Sequence, residues 1–203
     1  MDNKTLISQY VDTGVGIPEY QFNQLSNNDK KTYLRKIELS LDYRPENLKY
    51  YYGVLPEDKQ LEIVNKDGKI IEYIKNPSEE VQLAAVNEDG IVIEFIKNPS
   101  EEVQLAAVKE FPYSIKLIEN PSEEVQLAAI KGSDYSIKYI ENPTEKVQIV
   151  LLNINVNMVR HIKNATEKVK LIAITKNPDL IRFIDNPSKE VMSLYNKLIN
   201  NGQ

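Results

Sequence analysis

One histidine, no cysteine and a surplus of carboxylates bound the chemistry this chain can attempt. His161 is the only imidazole in 203 residues, and no thiol accompanies it. A zinc site draws several ligands from histidine, cysteine and acids, so this chain is poorly equipped for one. A serine nucleophile would have to borrow His161 as its base, and no GxSxG turn presents such a serine. Neither the GxxxxGK[ST] nor the GxGxxG phosphate loop occurs. Two carboxylates suffice for glycoside hydrolysis, and acids are abundant. A catalytic pair must be unique in its surroundings, however, and here the acids come in repeated columns. The expectation is a non-enzyme with no cofactor and no metal.

The columns repeat every 22 residues. One runs Glu79, Glu101, Glu123, Glu145, Glu167 and ends in Lys189. Its companion runs Glu80, Glu102, Glu124, Lys146, Lys168, Glu190. Acid pairs have a plain use at the start of a helix, where the dipole favours negative charge and a glutamate can close a capping box. They have a sharper use too. Acids at a fixed rise imitate a phosphate backbone and can occupy the basic nucleic-acid channel of a target protein. A second line changes sign: Glu72, Glu94, Lys116, Lys138, Arg160, Arg182. Net charge passes from −4 over Asn76–Lys97 to +2 over Asn142–Lys163.

A third line is largely aromatic: Tyr50, Tyr73, Phe95, Leu117, Tyr139, His161, Phe183. Rings beside cations stack bases in single-strand binders, or form a hot-spot row for a protein. A packing ladder on the second helices is the plainer reading, and it accounts for His161 without a ligand. In the Tyr50–Tyr52 cluster, Tyr51 takes an isoleucine column. Tyr52 is the candidate for an exposed contact.

Such columns need a scaffold that repeats. NPSEEVQLAA stands at Asn76–Ala85, Asn98–Ala107 and Asn120–Ala129, and looser copies start at Asn142, Asn164 and Asn186. Each copy reads as two short helices. Asn76 is expected to cap the first. Pro77 suits the first helical position, where its missing N–H has no intrahelical partner. Glu79 then falls third and reaches back to the cap. Val81, Leu83, Ala84, Ala85 and Val86 give the apolar face. After a variable turn, a shorter helix such as Tyr113–Glu119 points Ile115 and Ile118 inward at a spacing of three.

The pattern extends backwards. Gln60, Leu61 and Val64 precede Gln82, Leu83 and Val86 by one period. Pro45–Tyr52 reads as the second half of a degenerate copy whose first half lies near Asp29–Leu41. The expected organisation is a helical cap over 1–28 and a solenoid over 29–203. Within it, 29–75 is degenerate, 76–185 regular and 186–203 a capping copy, where polar Ser193, Asn196 and Lys197 enter.

A helix opening on Asn-Pro-Ser-Glu-Glu-Val and followed by a shorter one resembles the leucine-rich variant repeats and the wider HEAT-like α-solenoids, of the kind seen in phage and giant-virus proteins. The resemblance covers about Asp29–Gly202. It implies an α-helix alternating with a short, often 3₁₀, helix, and a binding surface with no shared reaction. The fold class is all-α, a right-handed α/α solenoid of two-helix repeats. One helix pair cannot bury its apolar face alone, so the copies must stack. At ~10 Å per layer, the stack would be on the order of 70 Å long.

The chain carries a net charge of −5, so bulk charge does not point to nucleic acid. No run approaches the roughly 18 apolar residues of a membrane span, and Met1–Tyr10 lacks a signal-peptide core. A cytoplasmic protein without membrane contact is expected, in the host cytoplasm if phage-encoded. The first functional reading is a protein-binding solenoid, in the form of a phage or mobile-element inhibitor of a host defence or nucleic-acid-handling complex. Its contacts would be Glu79, Glu80, Glu101, Glu102, Glu123 and Glu124, with Tyr52, Tyr73, Phe95 and Tyr139. The second is direct nucleic-acid binding through Lys116, Lys138, Arg160, Lys163, Lys168, Lys170 and Arg182. The third is a structural or self-assembling element.

Overall fold

In the computed structural model the described residues are 2–7, 17, 19–30, 32–33 and 55–200. All regular structure among them is helical, and α-helices alternate with 3₁₀-helices. The chain divides into two compact units, Met1–Glu88 and Asp89–Gln203.

The first unit contains α1 (Glu19–Gln24), α2 (Glu57–Val64), the 3₁₀-helix η1 (Gly68–Tyr73) and α3 (Glu79–Glu88). Near its start Ile7, Ile17, Phe22, Leu25 and Tyr33 are buried. The Phe22 and Tyr33 rings lie 5.7 Å apart, and the Tyr33 hydroxyl accepts the Ile17 N–H at 3.0 Å. Further on, α2, η1 and α3 pack in sequence over Val64, Ile70, Ile71, Val81, Ala85 and Val86. The Gln60 amide donates to the Leu55 carbonyl at 2.8 Å, as Gln82 donates to Pro77 at 2.9 Å. This shared five-residue back-bond places α2 in the repeat register, as the spacing of Gln60, Leu61 and Val64 predicts. The segment Pro45–Tyr52, with Tyr50, Tyr51 and Tyr52, lies outside the described residues.

The second unit holds η2 (Gly90–Phe95), α4 (Glu101–Glu110), η3 (Pro112–Leu117), α5 (Glu123–Gly132), η4 (Asp134–Tyr139), α6 (Glu145–Ile154), η5 (Val156–His161), α7 (Glu167–Lys176), η6 (Pro178–Phe183) and α8 (Lys189–Asn200). Each α-helix packs on the next, as do successive 3₁₀-helices. This is the two-row stacking of an α-solenoid. The second helix of every described copy is 3₁₀, six residues long. Its third and fourth residues and the residue just after it turn inward, as Ser114, Ile115 and Ile118 do. Asp89, Asn155 and Asn177 start three of these helices, each side chain accepting the N–H two residues on.

The first helix starts two residues later than the Asn-Pro pattern suggests. Helix α4 begins at Glu101, and the Ser100 hydroxyl accepts the Val103 N–H at 3.3 Å. Ser122, Thr144 and Thr166 do the same in the following copies, and in the first unit Ser78 accepts from Val81. Asn76, Asn98, Asn120 and Asn186 are not caps. They are turn residues with φ of 55°, 50°, 50° and 47°, a left-handed conformation that asparagine tolerates better than most residues. The glutamate expected third is therefore first, too close to its own cap to reach back.

A buried glutamine joins successive copies. The Gln126 amide donates to the Pro121 carbonyl at 3.0 Å, and its oxygen accepts the Thr144 N–H at 3.3 Å. Gln148 repeats this with Pro143 at 2.9 Å and Thr166 at 3.1 Å. Both side chains are buried, and both satisfy main-chain groups on two copies. Lys170 follows in the same column and donates to the Asp185 carbonyl at 3.2 Å. In α8 the register changes character. Asn196 takes the column of Val108 and Ile130 and is exposed, while Tyr195 takes the place of Ala107 and Ala129.

Candidate binding ridge

The geometry of a 3₁₀-helix decides which side chains share its outer face. With three residues per turn, residues i and i+3 eclipse. The second and fifth residues therefore stand over one another: Ile91 and Glu94, Tyr113 and Lys116, Tyr135 and Lys138, Asn157 and Arg160, Asp179 and Arg182. The fifth is exposed in every copy of the second unit. The sixth is partly or fully exposed: Phe95 at 40% and Tyr139 at 49%, with Leu117, His161 and Phe183 half-buried. The sign-changing line and the aromatic line thus share one ridge.

Contacts along the ridge run from copy to copy. The rings of Tyr113 and Tyr139 meet edge to face at 5.9 Å. Tyr135 and His161 approach to 6.2 Å. The Arg160 guanidinium lies 5.4 Å from the centre of the Phe183 ring and that of Arg182 lies 4.8 Å from it. Lys138 stands 4.8 Å from the Tyr135 ring centre. Arg160 also donates to the Asn157 carbonyl at 2.9 Å, which fixes its direction. Among the described residues, Lys116, Lys138, Arg160 and Arg182 form no ion pair with a carboxylate. Lys138, Arg160 and Arg182 lie against rings, and Arg160 also holds a main-chain carbonyl.

The His161 imidazole is held below its ordinary pKa. Partial burial is the first cause, the charges of Lys138 and Arg160 follow, and Asp134 opposes them. A groove of about 600 Å³ adjoins the ridge, lined by Lys116 and Tyr139 with Glu119, Glu141 and Gln126. Its carboxylates offset Lys116. The positive end is toward η5 and η6, where Lys163 adds an exposed cation. From Asn142 to Asn200 nine lysines and arginines face five acids.

The other predicted residues fall elsewhere. Glu101 accepts a hydrogen bond from the Ser122 hydroxyl, and Glu167 from that of Ser188. Glu123 accepts from Thr144 at 2.6 Å and pairs with Lys146 at 2.8 Å. The outer member of the acid pair stays free where it is acidic: Glu102 and Glu124 are exposed with no ion pair among the described residues. Where that position is lysine, it turns back onto the preceding copy, as Lys168 does toward Glu145 at 3.6 Å. Lys168 and Lys170 thus belong to the α-helical joints and not to the ridge. Glu79, Glu80 and Tyr73 belong to the first unit, the glutamates exposed and Tyr73 half-buried. Tyr52 is outside the described residues.

Sequence reasoning missed Tyr113, Tyr135 and the glutamine joint. The tyrosines were readable, since each precedes a column lysine by three. The glutamine was readable as one polar letter held constant inside an apolar run. Among the described residues no cluster of histidine, cysteine and acid side chains is arranged to hold a metal, and no helix is long and apolar enough to cross a membrane. Searches of protein-family models, curated proteins and solved structures return no match for the chain.

Proposed function

We propose that this chain is a non-catalytic binding scaffold, and that an anionic macromolecule docks along the 3₁₀ ridge of its second unit. One observation carries the reading. Lys116, Lys138, Arg160 and Arg182 are exposed, recur once per copy, and have no carboxylate partner among the described residues. Tyr135, Tyr139 and Phe183 stand between them. Exposed cations that no acid pairs with keep their attraction for a partner. Lys138, Arg160 and Arg182 do so more than Lys116, which shares its groove with Glu119 and Glu141. Aromatic and arginine side chains supply most contact energy at binding surfaces.

The acid columns support a second reading, an acidic row that occupies a basic channel of a protein target. Within the second unit its support narrows to Glu102 and Glu124, because Glu101, Glu123 and Glu167 hold cap hydroxyls of the next copy. The two readings separate on an immobilised polyanion such as heparin. The ridge reading expects retention that falls to background when Lys138 and Arg160 are replaced by glutamate. Equal retention of wild type and variant would remove the ridge from the mechanism. Stronger capture by a polycation, lost in Glu102→Gln with Glu124→Gln, would favour the acidic row.

A further inference from the structure

The geometry points to single-stranded nucleic acid as the occupant of the ridge; this rests on the reading of the ridge as an anion-docking face. The ridge has a regular composition. From η3 to η6 each copy contributes one exposed cation at the fifth 3₁₀ position, where η2 has Glu94, and copies recur at ~10 Å when helices pack side by side. A partner with evenly spaced charge matches such a row along its whole length. Phosphodiester backbones have this property, whereas acidic patches on folded proteins are irregular.

The rings argue for a strand whose bases are free. Tyr135 and Tyr139 are 46% and 49% exposed. Tyr139 meets Tyr113 edge to face, a contact that leaves at least one face of each ring uncovered by the other. Base–ring stacking needs unpaired bases, because a duplex already stacks its bases on each other. A ridge of six-residue 3₁₀-helices also lacks the long α-helix that enters a major groove. Arg160 and Arg182 beside Phe183 combine both chemistries in one place, a planar cation and a ring, next to the half-buried His161.

The test is fluorescence anisotropy of the full chain with a labelled single-stranded 20-mer, a duplex of the same sequence, and polyglutamate as competitor. The inference expects the single strand to bind more tightly than the duplex. With four phosphate contacts, log K should fall with log salt at a slope near −3, at about −0.7 per contact for a single strand. Lys138→Glu with Arg160→Glu should halve that slope. Tyr139→Ala should weaken binding roughly tenfold, the scale of one lost stacked base, while Tyr139→Phe should retain it. Equal affinity for duplex and single strand overturns the single-strand assignment. Binding of polyglutamate that the oligonucleotide cannot displace overturns the nucleic-acid assignment and leaves the ridge as an anion-docking face. Binding to neither, with no response to ridge substitutions, overturns both.

Discussion

The Thr144 hydroxyl does two jobs at once: it accepts the Val147 N–H at 3.3 Å to cap α6, and it donates to Glu123 of the preceding copy at 2.6 Å. A cap that is also a joint couples the start of each helix to the packing of its neighbour. Thr144→Ala should remove both, and losing a cap alone costs about 1 kcal/mol. In a chain of this size that lowers Tm by roughly 2–4 °C. Thr144→Ser should restore most of it. Thermal melts followed by circular dichroism decide, and a Thr144→Ala variant as stable as wild type would show that the joint is idle.

Stability should also depend on acid. The hydrogen bonds from Lys146 and then Thr144 hold the Glu123 carboxyl below its ordinary value of 4.5, and Lys66 and Lys59 hold Glu62 down to about 2. A carboxyl depressed in the folded chain binds its proton later than in the unfolded chain. Its contribution is complete above the unfolded value and is lost as pH falls through the folded one. Melting temperature should therefore drop as pH falls from about 4.5 toward 2, and Glu62→Gln should flatten the curve. A variant curve parallel to wild type would contradict this.

Gln148 should be among the most costly positions to change. Its side chain is 2% exposed and satisfies the Pro143 carbonyl and the Thr166 N–H. Gln148→Leu keeps the volume and strands both main-chain groups. Each buried polar group left unpaired costs about 1–3 kcal/mol, so a loss on the order of 3 kcal/mol is expected in urea unfolding. A loss under about 1 kcal/mol would mean water or a rearrangement satisfies the pair.

The asparagine turns make a prediction of opposite sign for two small residues. Asn98 has φ 50°. Glycine adopts that conformation freely, so Asn98→Gly should be neutral or stabilising. Alanine resists it, and Asn98→Ala should cost on the order of 1 kcal/mol. If alanine and glycine behave alike, the left-handed turn is not what fixes this residue type.

His161 gives the ridge a pH dependence. Burial and the charges of Lys138 and Arg160 depress its pKa, and Asp134 opposes them. As pH falls below the ordinary value of 6.5, the unfolded chain takes up this proton first, so stability declines slightly through that window. A bound anion reverses the balance by favouring the charged ring. Oligonucleotide affinity should therefore rise between pH 7 and 5.5, and His161→Phe should abolish the rise. A pH-independent affinity in wild type would place the ligand away from His161.

The period, the pairing of a longer helix with a shorter one, and the inward columns were legible because a repeat multiplies each weak signal. The 3₁₀ form of the shorter helix was implied only by the resemblance to leucine-rich variant repeats. Which residue caps the helix was not legible. Asn, Pro and Ser stand in a row, and asparagine and serine cap equally well. In four copies the turn breaks the tie, holding the asparagine in a left-handed conformation; Asn142 and Asn164 take the same place without a positive φ. The acid column was legible as helix-start chemistry, but its partners were not, because Ser122 and Thr144 lie 21 residues from Glu101 and Glu123. On the ridge, Lys116, Lys138, Arg160 and Arg182 were grouped correctly by period. Lys168 and Lys170 joined them on sign alone, and only the fold separates a lysine on an α-helical joint from one on a 3₁₀ face.

The glutamine joint closes on a proline carbonyl and a cap N–H, groups that do not depend on which side chains the neighbouring copy displays. The joint crosses from copy to copy at Gln126 and Gln148, while Gln82 and Gln104 hold the proline carbonyl of their own copy. Duplication of a 22-residue stretch yields a unit that seats at once, and its outward residues can then diverge without disturbing the seam. The near-identity of NPSEEVQLAA in three successive copies beside freely varying ridge residues sets a constant helix start and packing face against a variable outer face, the pattern that growth by copying leaves.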